Sequence, residues 1–243
     1  MIDIKSLSKS YKDFLVLDDI NLDIKDGEFV SILGSFGCGK TTLMKIIGGL
    51  IDDYQGIVKV NGVDPIEILK KRKIGFCFQK ANLLPWKNVI KNISLPLELN
   101  GYKKSLNKST KLLKMVELES IALKNIWEIS GGTQQLVSIL RSLALDPSIL
   151  LLDEPFSSID EISRGKLHSK LIRMHQKTKQ TIIMITHSVD EAVFLSDKII
   201  VLTKNPAKIK KIIKINFPKR SETIKNNKNY ISYVKKIRTL LRG

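Results

Sequence analysis

The segment Gly34-Ser35-Phe36-Gly37-Cys38-Gly39-Lys40-Thr41-Thr42 follows directly on the apolar run Phe29-Val30-Ser31-Ile32-Leu33. It reads G-x-x-x-x-G-K-[ST], between a predicted strand and a predicted helix, and that context commits the region to one local fold. A strand enters a tight glycine-rich loop, and the loop opens a helix. Such a loop is a cradle for polyphosphate. Glycines at 34, 37 and 39 keep side chains out of the way, so that backbone N–H groups approach the anion closely. The helix starting near Lys40 points its unpaired N–H groups and positive dipole end at the same place. Lys40 can reach the β- and γ-phosphates, and the Thr41 hydroxyl can bind Mg²⁺. Ser35, Phe36, Cys38 and Thr42 complete the nucleotide-binding loop.

A second piece of the same chemistry lies more than a hundred residues on. Ile149-Leu150-Leu151-Leu152 is an apolar strand that ends in Asp153-Glu154-Pro155. The ends of parallel strands are where an α/β sheet presents its chemistry. Asp153 is placed to hold Mg²⁺, directly or through water, and Glu154 to polarise a water that attacks a phosphate. The alternative is that both acids cap the following helix.

The remaining pattern is that of an α/β protein. Short strands are predicted at Ile2-Asp3-Ile4 and Leu15-Val16-Leu17, and the run Ile20 to Ile24 alternates with period two. Asp26-Gly27 reads as a turn. A helix is predicted over Thr42–Leu50, and strands over Ile57–Val60, before Asn61-Gly62, and over Ile74–Phe78, ending at Gln79. From Ala81 to about Leu145 apolar residues recur at helical spacing and strand signals fade. After the strand at Ile149 come a helix over Glu161–Gln176, a strand over Thr181–Thr186, a short helix near Asp190–Leu195 and a strand over Lys198–Leu202. Runs of consecutive apolar residues between helices indicate strands buried on both faces, hence a mainly parallel sheet with helices on both sides. Beyond Lys208 a terminal strand and a Lys-rich amphipathic helix are expected. The chain therefore reads as one domain over 1–243. Residues 1–80 and 147–218 form the core, 81–146 a helical subdomain, and 219–243 a basic C-terminal tail.

Composition sets limits on partners. The chain of 243 residues carries a net charge of +17. That suits nucleic acid or an anionic membrane surface. The basic residues are spread along the chain without the interleaved aromatics that single-strand binders use, so a nucleic-acid partner is not expected. No apolar run approaches the roughly 20 residues that span a bilayer. The N-terminus lacks a signal-peptide core, which places the chain in the cytosol unless a partner tethers it. Cys38 and Cys77 have neither metal-site nor disulfide spacing and read as reduced thiols.

Between the loop and the acidic strand lies Ile129-Ser130-Gly131-Gly132-Thr133-Gln134-Gln135, which is similar to the Leu-Ser-Gly-Gly-Gln signature of ABC transporter ATPases. The order matches that family throughout: Tyr11, the phosphate loop, Gln79, the signature, Asp153-Glu154, Ser157-Ser158-Ile159-Asp160 and then Thr186-His187. The resemblance covers the chain to about Pro218. It implies a P-loop NTPase core with an N-terminal antiparallel part and an inserted helical subdomain. It also implies a head-to-tail dimer that sandwiches two ATP molecules, each between the loop of one copy and Ser130, Gly131 and Gly132 of the other. The physics agrees, because Ser130 and the two glycine amides stand before a helix predicted from about Thr133, a second N–H-rich anion site. Carried over, Tyr11 stacks on the adenine with Val16 against the other side. Gln79 senses Mg²⁺ and the attacking water, His187 contacts the γ-phosphate and supports Glu154, and Asp160 meets the partner.

Three positions depart from the family pattern. Phe36 stands where many members have a small polar residue, and it either turns outward or narrows the site. Thr133 replaces a Gln or Met, and Leu136 an Arg. Leu83-Leu84-Pro85-Trp86, Asn88 to Ile93 and Lys204 to Ile209 resemble the subgroup serving nitrate, sulfonate and taurine importers. The implied partners are integral membrane permease subunits, a second copy or related ATPase subunit and, indirectly, a solute-binding protein. The implied place is the cytoplasmic face of the membrane. Leu83, Leu84 and Trp86 either dock the permease or pack the helical subdomain. Two other readings stay open: a soluble ABC ATPase acting on ribosomes or DNA, and a subunit that binds ATP but hydrolyses it weakly.

Overall fold

Every residue of Phe29–Leu33, Thr181–Ile185 and Lys198–Leu202 is buried, which strands achieve only inside a sheet covered on both faces. The computed structural model describes residues 1–217, 220 and 222–242. Pro218 and Lys219, where the expected core gives way to the expected tail, and Gly243 at the tail's end lie outside the described residues. The first half contains β1 (Ile2–Tyr11), β2 (Phe14–Ile24), β3 (Phe29–Leu33), α1 (Lys40–Ile47), β4 (Gln55–Val60), α2 (Pro65–Lys70), β5 (Ile74–Cys77), α3 (Val89–Leu99) and α4 (Ser105–Met115). The second contains α5 (Gly131–Leu143), β6 (Ile149–Asp153), α6 (Glu161–Thr178), β7 (Thr181–Ile185), α7 (Val189–Leu195), β8 (Lys198–Leu202), β9 (Ile209–Lys214) and α8 (Lys228–Arg242).

Two sheets result. The smaller, β2-β1-β4, is antiparallel. The larger has the order β5-β6-β7-β3-β8-β9 and is parallel except for β9 at its edge. Strand alternation divides the core even where every residue is apolar. Val30, Ile32, Ile149 and Leu151 face the core shared with β1, β2 and α1. Phe29, Leu33, Leu150 and Leu152 face the core shared with α3, α5 and the C-terminal helices. Helix α5 joins the helical part to the sheet: Ser142 Oγ donates to the Phe76 carbonyl at 2.6 Å and Gln135 Nε2 to the Phe78 carbonyl at 2.9 Å.

Several boundaries differ from the sequence expectation. The pieces at Ile2–Ile4, Leu15–Leu17 and Ile20–Ile24 belong to two long strands. Ser6 and Asp19 take φ of 45° and 49°, and the pairing shifts register beside them, so bulges interrupt the alternation. The helix expected over Thr42–Leu50 begins at Lys40 and stops at Ile47. Gly49 there has φ 69°, and a Cβ on Gly48 would lie 2.1 Å from Phe76 Cζ. Helix α2 is absent from the sequence expectation, because its six residues are too short for helical periodicity to show. Its signal is Asp64-Pro65: the Asp64 carboxylate accepts from Ile66 N–H at 3.0 Å and Pro65 opens the first turn. The helix expected from about Thr133 begins at Gly131, with Ser130 as its cap. The other shifts are one or two residues at element ends.

The C-terminal segment packs rather than trails. Tyr230, Val234 and Ile237 of α8 are buried, and the Tyr230 hydroxyl donates to the Asp190 carbonyl at 2.9 Å. Burial there pushes the phenol well above its usual range. Lys228, Lys235 and Lys236 face outward. No helix among the described residues is long and apolar enough to cross a membrane.

Candidate functional site

Parallel strands deliver their C-terminal ends to one edge of a sheet. Here four neighbours, β5, β6, β7 and β3, do so in that order. β5 runs on to Gln79, β6 ends at Asp153 before Glu154, β7 runs on to Thr186-His187, and β3 enters the loop at Gly34. Residues far apart in the chain thereby meet along one edge.

The loop curls as its glycines permit. Gly37 and Gly39 have φ of 73° and 107°, a region where side chains are strained. At Gly34 the constraint is space, since a Cβ would come within 2.7 Å of the buried Cys38 Sγ. Lys40 is buried to 5% exposure, and its ammonium donates to the carbonyls of Gly34 at 3.0 Å and Ser35 at 2.8 Å. Val16, Phe36, Gly37, Gly39, Lys40, Thr41, Thr42, Glu154 and His187 line a cleft of about 320 Å³ over the loop.

The acids sit against this cleft. Thr41 Oγ1 donates to Asp153 Oδ2 at 3.4 Å. Burial, and then the charge of Glu154, push the Asp153 carboxyl above its usual range, while Thr41, Lys45 and Lys40 pull it back in part. Glu154 holds a left-handed backbone, φ 48°, and its N–H donates to the Ile185 carbonyl at 3.0 Å. That conformation turns its carboxylate to His187, whose Nε2 lies 2.7 Å from Oε1. Gln79 Nε2 donates to Ser157 Oγ at 3.2 Å, and the Ser157 hydroxyl to the Glu154 carbonyl at 3.1 Å. In the sequence Ser157 is legible only as part of a motif. Its link to Gln79 spans 78 positions, which no sequence spacing reports.

Phe36 turns outward. It is 94% exposed, and its ring lies 6.5 Å from that of His187 at 27°, loosely stacked at the rim of the cleft. Tyr11 lies outside the cleft lining, half-exposed at the end of β1, with Lys9 Nζ 4.8 Å from its ring centre. Asp160 caps α6: its carboxylate accepts from Ser163 N–H at 2.9 Å, and that bond holds it below its usual range.

The signature residues stand apart from the cleft of their own chain, since none of Ser130, Gly131 and Gly132 lines it. Ser130 caps α5, accepting from Thr133 N–H at 3.3 Å. Thr133, one of the departures, also bonds the Ser130 hydroxyl through its own at 3.0 Å. A Cβ on Gly131 would meet nothing within 4 Å, whereas one on Gly132 would lie 2.9 Å from Leu167. The helix start is thus open on one side and packed on the other. Leu136, another departure, is buried in the core. Of the Leu83, Leu84 and Trp86 group, Leu83 packs against the core and Trp86 is 75% exposed. Asn92, fully buried, clasps the backbone of Leu84 from both sides, accepting from its N–H at 2.8 Å and donating to its carbonyl at 3.1 Å.

Comparison with known proteins places the chain in a family. Residues 17–157 match the family model of the ABC transporter. The chain is 41% identical over 228 residues to an uncharacterized ABC transporter ATP-binding protein, MJ0412, of Methanocaldococcus jannaschii, covering 93% of this chain and 84% of that protein. It is 36% identical over 240 residues to the taurine import ATP-binding protein TauB of Escherichia coli K12, covering 96% and 93% of the two chains. Among solved structures, the dimeric, post-hydrolysis ATP-binding cassette MJ0796 bound to ADP and Pi superimposes with a TM-score of 0.75 at 32% identity, covering 89% of this chain and all of that one. The chain therefore belongs to the ABC transporter family.

Proposed function

We propose that this chain is the ATP-hydrolysing subunit of a membrane importer, working as a head-to-tail pair. One observation carries the reading. The cleft over the loop and the start of helix α5 lie apart in one chain, since Ser130, Gly131 and Gly132 do not line the cleft. Two copies facing each other give each phosphate group both surfaces. ATP then joins the copies, and its hydrolysis and release of phosphate part them. Ser130, Gly131 and Gly132 supply the partner half, Tyr11 and Val16 hold the adenine, and Asp160 meets the opposite copy.

The donor set supports Mg²⁺. Thr41 and Asp153 offer hard oxygens side by side. Mg²⁺ typically binds in this way, through one or two protein oxygens plus substrate phosphates and water. When bound, it would neutralise charge on the phosphates. Lys40 holds the same phosphates, Gln79 the attacking water, and Glu154 takes up the water's proton while His187 fixes the carboxylate.

Because Asp153 is raised, the folded protein holds that proton more firmly than the unfolded chain. Stability is therefore lost as pH rises through the window above the ordinary value of 3.8. Asp153→Asn should remove this cost. The nucleotide-free variant should melt above the parent at neutral pH, with the gap closing as pH falls towards 3.8, while Mg²⁺-dependent hydrolysis is lost. Melting curves across pH, with phosphate release alongside, check both halves.

The importer reading is supported by likeness to TauB and to the aliphatic sulfonates import ATP-binding protein SsuB of Bacillus cereus ATCC 10987, 39% identical over 220 residues and covering 90% and 86% of the chains. The cargo class we favour is a small solute such as nitrate, a sulfonate, taurine or a related organic molecule. An apolar groove of about 450 Å³, lined by Leu69, Ile74, Phe76, Pro96, Leu99 and Leu145, lies where the helical part meets the sheet. It suits a permease segment, which would hold the chain on the cytoplasmic face of the membrane. Phe36 supports a second reading, a slow hydrolyser, because a ring rather than a small polar group stands at the rim of the cleft beside His187.

Single-turnover measurement tests both. We expect Mg²⁺-dependent phosphate release that Lys40→Ala abolishes, and its rate separates a working ATPase from a weak one. Release no greater than that of Lys40→Ala would sink the enzyme assignment. Recovery of ribosomes or DNA without an integral membrane protein, on pull-down from native membranes, would sink the importer.

A further inference from the structure

The residues flanking His187 lead inward to a buried carboxylate. The Thr186 hydroxyl donates to Glu191 Oε2 and accepts from Ser188 N–H at 3.0 Å. Glu191 N–H donates to Ser188 Oγ at 3.2 Å, which closes the first turn of α7 on the same segment. The other carboxylate oxygen, Oε1, meets His168 Nε2 at 2.8 Å. A carboxylate only accepts, so Nε2 carries the hydrogen. Glu191 and His168 are 4% and 5% exposed.

His168 belongs to α6, the helix capped by Asp160. Its ring contacts Phe156 edge-on, centroids 5.1 Å apart, and Phe194 at 6.0 Å. Phe156 closely follows Glu154 in the chain. One buried imidazole therefore touches the segment carrying Glu154 and, through Glu191 and Thr186, the segment carrying His187.

A buried carboxylate is costly unless its oxygens are engaged, and once engaged it resists displacement. Both Glu191 oxygens are engaged here, which fixes Thr186 and Ser188. His187 lies between these two residues, yet its own side chain is 41% exposed and so gains little rigidity from packing. Its placement at 2.7 Å from Glu154 rests on the backbone beneath it.

We propose that His168 and Glu191 are positioning residues for hydrolysis: the His168–Glu191–Thr186 chain sets His187 against Glu154 and ties that pair to helix α6. The inference rests on the reading of Glu154 and His187 as the hydrolytic pair.

The test uses the full chain with Mg²⁺ and ATP. His168→Phe keeps a ring of similar size and removes the hydrogen. It should lower kcat by about ten- to a hundredfold, the scale of a small misplacement of reacting groups, with ATP affinity unchanged. His168→Gln, which restores an N–H towards Glu191, should recover most of that loss. On a His187→Ala background His168→Phe should lower kcat no further, because it acts through His187. Equal losses on both backgrounds, or a kcat equal to the parent's, would overturn the proposal. Thr186→Val in the same two backgrounds makes the same comparison, with the same two outcomes, should His168→Phe fail to fold. If His187→Ala itself leaves kcat unchanged, the hydrolytic pair is wrong and the inference falls with it. If only the His168 and Thr186 results fail, the pair stands alone.

Discussion

Glu154→Gln should lower ATP hydrolysis by about 10²–10⁴, the usual range for a positioned acid–base group, and leave ATP binding intact. Gln keeps the size of the side chain and an oxygen that can accept from His187, now 2.7 Å from Oε1. What it loses is the negative charge that, in the proposed mechanism, takes up a proton from the attacking water. The left-handed backbone at 154 and its bond to Ile185 do not depend on that charge. If hydrolysis parts the pair, as proposed, the variant should accumulate as an ATP-bound dimer, visible by size-exclusion chromatography with ATP and absent with ADP. Turnover within tenfold of the parent would remove Glu154 from its role. A variant that stays monomeric at high concentration with ATP would mean that the head-to-tail mechanism needs revision or that the membrane partner is required for pairing.

Gly131→Asp tests the other half of the composite site. A Cβ there meets nothing within 4 Å, so the monomer should fold and melt as the parent does. Its carboxylate would stand where a phosphate arrives, at the start of α5, and like charges at such range repel strongly when water is excluded. Hydrolysis should fall at least about a hundredfold, as when a stabilising group is lost from a phosphoryl-transfer site, while ATP still binds the cleft of the free chain. Mixing gives the sharper result. A dimer of Gly131→Asp with Lys40→Ala has one site broken twice and one site intact. Equal mixing should therefore restore activity that neither variant shows, up to about a quarter of the parent's. Absence of recovery in a mixture shown to contain heterodimers would be evidence against head-to-tail sharing.

Much of this site is written in short stretches. Gly37, Gly39, Lys40 and Thr41 are legible because the strand, the turn and the helix start that use them are contiguous. Asp153 and Glu154 are legible because an apolar strand announces its own end. Phe36 is legible as an oddity, but its outward turn and its place beside His187 are not, because a ring's direction depends on a neighbour at the end of another strand. The bulges at Ser6 and Asp19 disguise two long strands as three short pieces, since a bulge breaks the period-two pattern that marks a strand. The His168–Glu191 contact is unreadable for a different reason. Ser188 and Glu191 announce a helix cap, while the partner that matters to the carboxylate comes from another helix.

The sequence by itself determined the local elements: a loop that only glycines can turn, strands apolar throughout, and caps at Asp64, Ser130 and Asp160. Periodicity and capping act over a few residues, so they decide what each segment becomes and which of its faces is buried. Tertiary structure alone decided which segments are neighbours. The order β5-β6-β7-β3 is a matter of long-range strand pairing, and it aligns Gln79, Glu154, His187 and the phosphate loop on one edge. The same packing leaves Gly131 facing open space. That separation of the α5 start from the loop cleft arises from how the helical part sits on the sheet, a long-range packing outcome that no local pattern encodes.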